Sequence, residues 1–256
     1  MTTLSGGILS VLALVACGGG TIPIETGAPT PIPPATIQKS PEATEFTRPE
    51  IKGLRFLALG DSYTIGQSVT ASGRWPVQLV RMMREAEVSL LDPEIIAQTG
   101  WTTADLSAAI DQVDIEGTFG IVSLLIGVNN QFRGLEIEEY QREFAVILRS
   151  AVRLAGGDAS HVIVISIPDW GVTPFAQGLD RTNIAQQIDL FNSVNKMEAT
   201  RAGSRYVDVT GISRQASTQS TLVAGDGLHP SEEMYSRWVD VVLPVALEIA
   251  AAAARK

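Results

Sequence analysis

From Leu54 onward, short apolar runs rich in β-branched residues alternate with longer stretches whose apolar positions recur at helical spacing. The short runs predict strands over 54–59, 94–98, 120–126, 161–167 and 205–209. Two of them contain almost unbroken apolar sequence, Ile121-Val122-Ser123-Leu124-Leu125-Ile126 and Val162-Ile163-Val164-Ile165-Ser166-Ile167. A strand covered by helices on both faces reads this way, so a parallel sheet is expected. The longer stretches predict helices over 75–86, 103–112, 137–154, 182–202 and 232–254. In the fourth, Ile184, Ile188, Phe191, Val194 and Met197–Glu198 form one stripe with polar residues opposite. The last starts behind Ser231, a good N-cap, with Glu232 and Glu233 in its first turn and Arg255 and Lys256 at its end. Those charges oppose the helix dipole at both ends. Pro244 inside this helix predicts a kink or a break. No internal repeat is present, and the alternation describes one doubly wound α/β domain.

Candidate chemistry collects where strands end. Gly60-Asp61-Ser62 follows the first strand, Gln98-Thr99-Gly100-Trp101 the second and Gly127-Val128-Asn129-Asn130 the third; Asp226-Gly227-Leu228-His229-Pro230 precedes the last helix. The carboxyl ends of parallel strands lie along one edge, where such sheets bind ligands, so these stretches can converge. A serine is inert without a base, and the chain has two histidines. His229 has an acid three residues upstream, with Gly227 between them to allow a tight turn. His161 opens a strand with no acid next to it and is expected to be structural. Singly, each feature has a plainer reading. Ser62 alone is a turn residue, Asp61 caps the following turn, Gly127 permits a turn, and Trp75, Trp101 and Trp170 are core or rim aromatics. Trp101 and Trp170 lie close enough to the strand ends to line a substrate pocket.

Taken in order over 54–254, the four stretches resemble the SGNH (GDSL-type) hydrolases. The resemblance implies a flavodoxin-like, three-layer domain with a five-stranded, mainly parallel sheet. It implies Ser62 as nucleophile, His229 as base and Asp226 as the acid that orients the imidazole. The oxyanion hole would comprise the Ser62 and Gly100 backbone N–H groups and the Asn129 side-chain amide. Asn130 departs from the family pattern, which usually has aspartate there, so a changed hydrogen-bond pattern is expected. The implied activity is hydrolysis of carboxylic esters, esterase- or lipase-like, with short-chain acyl or acetyl esters as the default. Two rivals share the scaffold: an O-acyltransferase acting on cell-envelope glycans, and a catalytically silent ligand-binding lipoprotein. No G-x-S-x-G elbow, P-loop or G-x-G-x-x-G is present. No cofactor and no metal are expected, because two histidines and one cysteine give no cluster at ligand spacing.

The first fifty residues add a location. Ile8 to Ala16 is apolar but shorter than the roughly 20 residues of a spanning helix. It ends at Leu14-Val15-Ala16-Cys17, which resembles a bacterial lipobox with Cys17, the single cysteine, as the lipidated residue. Residues 1–7 lack the Lys or Arg usual in a secretory leader. Residues 18–50 hold seven of the 13 prolines and predict an extended tether. It would reach up to ~100 Å at ~3 Å per residue. The expected organisation is thus a leader over 1–17, a tether over 18–50 and the hydrolase domain over 51–256. The protein would be exported and lipid-anchored through Cys17 to the cell envelope, at a membrane outer face or in the periplasm. A net charge of −9 without a Lys/Arg cluster argues against nucleic acid as a partner. The expected partner is a small-molecule, glycan or lipid ester, and the expected state is a monomer.

Overall fold

The computed structural model of the protein describes residues 53–255; the expected leader, lipobox and tether lie outside them. Five strands form one sheet: β1 Phe56–Asp61, β2 Glu94–Gln98, β3 Ile121–Leu125, β4 Val162–Ile165 and β5 Arg205–Val207. Their order is β2-β1-β3-β4-β5, and every pairing is parallel. The chain therefore steps left from β1 to β2 and then returns past β1 to β3, which places the switch point of the topology at the end of β1. Right-handed crossovers send the first connecting helix to one face of the sheet and the next to the other.

The helices bear this out. On one face, α2 (Trp75–Glu85) packs on α8 (Glu232–Ala253); on the other, α5 (Ile137–Leu154) lies between α3 (Thr103–Gln112) and α6 (Arg181–Ala202). Three short helices occupy strand ends and loops: α1 (Ser62–Ile65), α4 (Val128–Phe132) and α7 (Thr210–Ser213). β1, β3 and β4 are buried at every position, as their unbroken apolar sequence requires, whereas the edge strands β2 and β5 are partly exposed. Helix boundaries follow their caps. Thr102 and Asp105 form a reciprocal capping box at the start of α3, Asp180 caps α6, and Ser231 accepts from Met234 N to start α8.

Four sequence expectations need correction. β1 begins at Phe56 rather than Leu54, which makes only an isolated bridge to Leu90, and it continues through Gly60 and Asp61 because those residues pair with Ala97 and Gln98. β4 and β5 end earlier than expected, at Ile165 and Val207. Of the kink or break expected at Pro244, the break does not occur, and α8 continues through it. In α6 the apolar stripe is buried up to Val194, but Met197 is exposed; Glu198 is buried instead, accepting from Gln141 Nε2 at 2.9 Å and paired with Arg201.

Candidate active site

β1 delivers Asp61 and Ser62 to the carboxyl edge of the sheet. Asp61, the last strand residue, caps α1 by accepting from Tyr63 N at 3.0 Å, and Ser62 is the first helical residue. A Cβ on Gly60 would lie 2.2 Å from Thr64 Oγ1 and 2.5 Å from Leu125 O, so only glycine fits where α1 folds back against β3.

The other partner arrives on a closed loop ahead of α8. Val223 and Pro230 form an antiparallel bridge, with Ala224 N donating to His229 O at 2.7 Å. Gly227, at φ +75°, makes the left-handed turn between them. His229 Nε2 lies 3.0 Å from Ser62 Oγ, and His229 Nδ1 lies 2.7 Å from Asp226 Oδ2. Ser62 and His229 are almost buried, at 4% and 5% exposure, and the Tyr63 ring packs against the imidazole with centroids 5.2 Å apart. The three residues thus form one hydrogen-bonded line across 167 positions of sequence.

Asp226 is held firmly. Its Oδ1 accepts from Leu228 N at 2.9 Å and His229 N at 3.0 Å, and its Oδ2 also accepts from Ser68 Oγ at 2.6 Å. Partial burial pushes this carboxyl upward, but the bonds from Ser68, Leu228 and His229 outweigh it and hold the group well below the usual carboxylate range. Asp226 is therefore an anion placed to accept a proton from His229 Nδ1. Ser68 has no signal in the sequence; its φ of +67° is rare for a residue with a side chain.

Gly100 and Asn129 face the same cleft, of about 230 Å³, as Ser62 and His229. Gly100 sits at φ +83°, and a Cβ there would meet nothing closer than Arg133 Nη2 at 3.8 Å; backbone conformation rather than crowding demands the glycine. Its loop is clasped by α4. Asn129 Nδ2 donates to Trp101 O at 2.9 Å and reaches Asp61 Oδ2 only at 3.5 Å, while Arg133 Nη2 donates to Gly100 O at 2.6 Å. Asn130, buried, adds a third grip. Its Oδ1 accepts from Thr103 N at 3.0 Å, its Nδ2 donates to Thr103 Oγ1 at 2.5 Å, and the Thr103 hydroxyl in turn donates to Glu143. An amide suits this position because it donates to the hydroxyl and leaves that hydroxyl's proton for Glu143.

The remaining candidates fall elsewhere. His161 stands at the amino end of β4, the opposite edge from Ser62. Contrary to expectation it has an acid nearby, with Nε2 3.7 Å from Asp158 Oδ2. Trp75 is core, Trp170 borders the cleft and Trp101 is not part of its lining. Gly127 takes φ +127° ahead of α4, as its turn role requires, and a Cβ there would also lie 2.3 Å from Tyr140 Oη.

Comparisons with known proteins agree with this picture. Residues 58–237 match the GDSL-like Lipase/Acylhydrolase family. No curated protein matched the sequence. Among solved structures, the fold is similar to that of TesA (TM-score 0.61, 18% identity, 76% of this chain and 99% of that one). It is also similar to Axe2, an acetylxylan esterase from Geobacillus stearothermophilus (0.58, 20%, 77% and 94%). A third similar structure is the psychrotrophic esterase EstA from Pseudoalteromonas sp. inhibited by monoethylphosphonate (0.56, 14%, 76% and 97%). At these identities the structures speak to the fold, whereas the family match covers more than half of the chain. The chain belongs to the GDSL-like lipase/acylhydrolase family and is a carboxylic ester hydrolase.

Proposed function

We propose that the protein cleaves small carboxylic esters, with short acyl or acetyl groups, through an acyl-enzyme on Ser62. The observation that carries this reading is the unbroken line from Ser62 Oγ through both imidazole nitrogens of His229 to Asp226. Ser62 Oγ attacks the ester carbonyl carbon as its proton passes to His229 Nε2. Asp226 stabilises the imidazolium and fixes its orientation. Negative charge on the carbonyl oxygen meets the N–H groups of Ser62 and Gly100 and the Asn129 amide. One Asn129 N–H holds the Trp101 carbonyl; the other, facing Asp61 at the outer limit of a hydrogen bond, is the donor to the oxyanion. The C–O bond then breaks, and the alcohol leaves with the proton from His229. A water molecule, deprotonated by His229, attacks the acyl carbon and releases the carboxylic acid and free Ser62.

A fluorophosphonate probe should label the wild type and leave Ser62→Ala unlabelled; a folded wild type that takes no label would defeat the reading. His229→Ala should lose turnover by about 10⁴-fold or more, and His161→Ala should retain it. We also propose that the domain works at the cell envelope, tethered through a lipid on Cys17; the lipobox-like segment and the proline-rich stretch after it support this.

A further inference from the structure

We propose that Phe132, Trp170 and Phe175 form a binding wall for an apolar group, an aromatic ring or a medium-length alkyl chain, carried by the ester substrate. The inference rests on the Ser62 hydrolase reading and adds the chemistry of the substrate to it. All three side chains border the cleft that holds Ser62 and His229. They also touch one another, with ring centroids 5.3 Å apart for Phe132–Trp170, 6.1 Å for Trp170–Phe175 and 6.2 Å for Phe132–Phe175. Trp170 is buried, but Phe132 and Phe175 are 53% and 49% exposed. A single exposed phenylalanine needs no explanation, whereas a cluster of rings at the mouth of a cleft marks a place where apolar surface is meant to be covered.

The wall is built into the site. Phe132 ends α4, three residues beyond Asn129. Phe175 N donates to Gly227 O at 2.9 Å, within the turn that carries Asp226 and His229. Trp170 Nε1 donates to Gln131 Oε1 at 2.7 Å, and Gln131 Nε2 donates to Gln187 Oε1 at 2.7 Å. Beneath it, Asp169 is paired with Arg214 at 2.9 Å. A preformed surface of this kind binds with little ordering cost.

The same bonds argue against a sugar ring on this wall. Sugar hydroxyls need hydrogen-bonding partners, but the indole N–H and both ends of the Gln131 amide are engaged and the phenylalanines offer none. Gln67 and Thr99, which follow β1 and β2, also line the cleft, and Thr99 Oγ1 donates to Gln67 Oε1 at 2.6 Å.

With a short acyl group on Ser62, the apolar group sits on the alcohol side of the ester, and kcat/KM on matched esters tests this. The substrates are ethyl acetate, benzyl acetate, ethyl hexanoate and an acetylated methyl xyloside, each tested with wild type, Phe132→Ala and Phe175→Ala. The wild type should favour benzyl acetate over ethyl acetate by about tenfold or more, and a preference for ethyl hexanoate instead would overturn the alcohol-side placement. Each alanine variant should remove most of that preference, chiefly through KM. Preference for the xyloside over both apolar esters, or equal losses on all four substrates, would overturn the proposal. Binding to Ser62→Ala, read by calorimetry, separates the wall from the chemistry. Benzylacetone, the unreactive isostere of benzyl acetate, should bind about tenfold more tightly than 2-pentanone, even if turnover and fluorophosphonate labelling fail in the wild type. Equal binding of the two ketones would count against the wall whatever the labelling shows.

Discussion

Burial raises the Asp61 carboxyl from its ordinary value near 4 to about 7, despite the backbone N–H bonds that favour its anion. Asp226 moves the other way, and the two stabilise the protein over opposite ranges of pH. The depressed Asp226 contributes stability above the ordinary carboxylate range and loses it as pH falls through its low folded value. Asp61 binds a proton more tightly folded than unfolded, so stability falls as pH rises from about 4 to about 7 and is level above that. Replacing Asp61 by Asn keeps an acceptor for Tyr63 N and removes the titration. Denaturant unfolding should therefore show Asp61→Asn gaining on wild type by on the order of 4 kcal/mol between pH 4 and pH 7.5. A difference constant with pH would mean that the carboxyl is not held protonated. The sequence shows Asp61 as a cap. It does not show that the cap lies beneath the sheet edge with no water to solvate its charge.

At the scale of elements, legibility follows local pattern more than length. β2, α3 and α5 match their sequence boundaries to the residue, because repeated apolar positions and strong caps such as Thr102 and Asp105 leave little choice. The five residues of α4 cover less than two turns, too few for a period, and read as a strand-end loop. Yet α4 and its cap residue Arg133 hold the Gly100 loop at successive points. Ser62, Gly100, Asn129, Asp226 and His229 could be named from motifs, whereas Arg133, Ser68 and Phe175 act through contacts that no motif encodes. If Arg133, by holding the Gly100 carbonyl, fixes the loop that presents the Gly100 N–H to the cleft, Arg133→Ala should lower kcat several-fold to about tenfold with KM nearly unchanged. Arg133→Lys should recover part of the loss. A loss confined to KM would assign Arg133 to substrate binding instead.

For the whole molecule, the order β2-β1-β3-β4-β5 sets one working edge, and α8 closes the face that α2 alone leaves open. The alternation of strand and helix made this architecture readable, since few topologies satisfy short right-handed crossovers. The proposed tether and lipid anchor lie outside the described residues and are tested in cells: Cys17→Ser should shift the protein from the membrane to the soluble fraction without loss of ester hydrolysis by the purified domain. Wild type found wholly in the soluble fraction would remove the anchor from the account. The 167 residues between the proposed nucleophile and its proposed base also order events in time. At roughly 5–20 residues per second of synthesis, Ser62 exists for about 10–30 s before the ribosome has made His229. During that interval the nascent chain carries its nucleophile without its base. On the proposed mechanism, hydrolysis becomes available only once the loop that carries Asp226 and His229 has been made and has closed on Ser62.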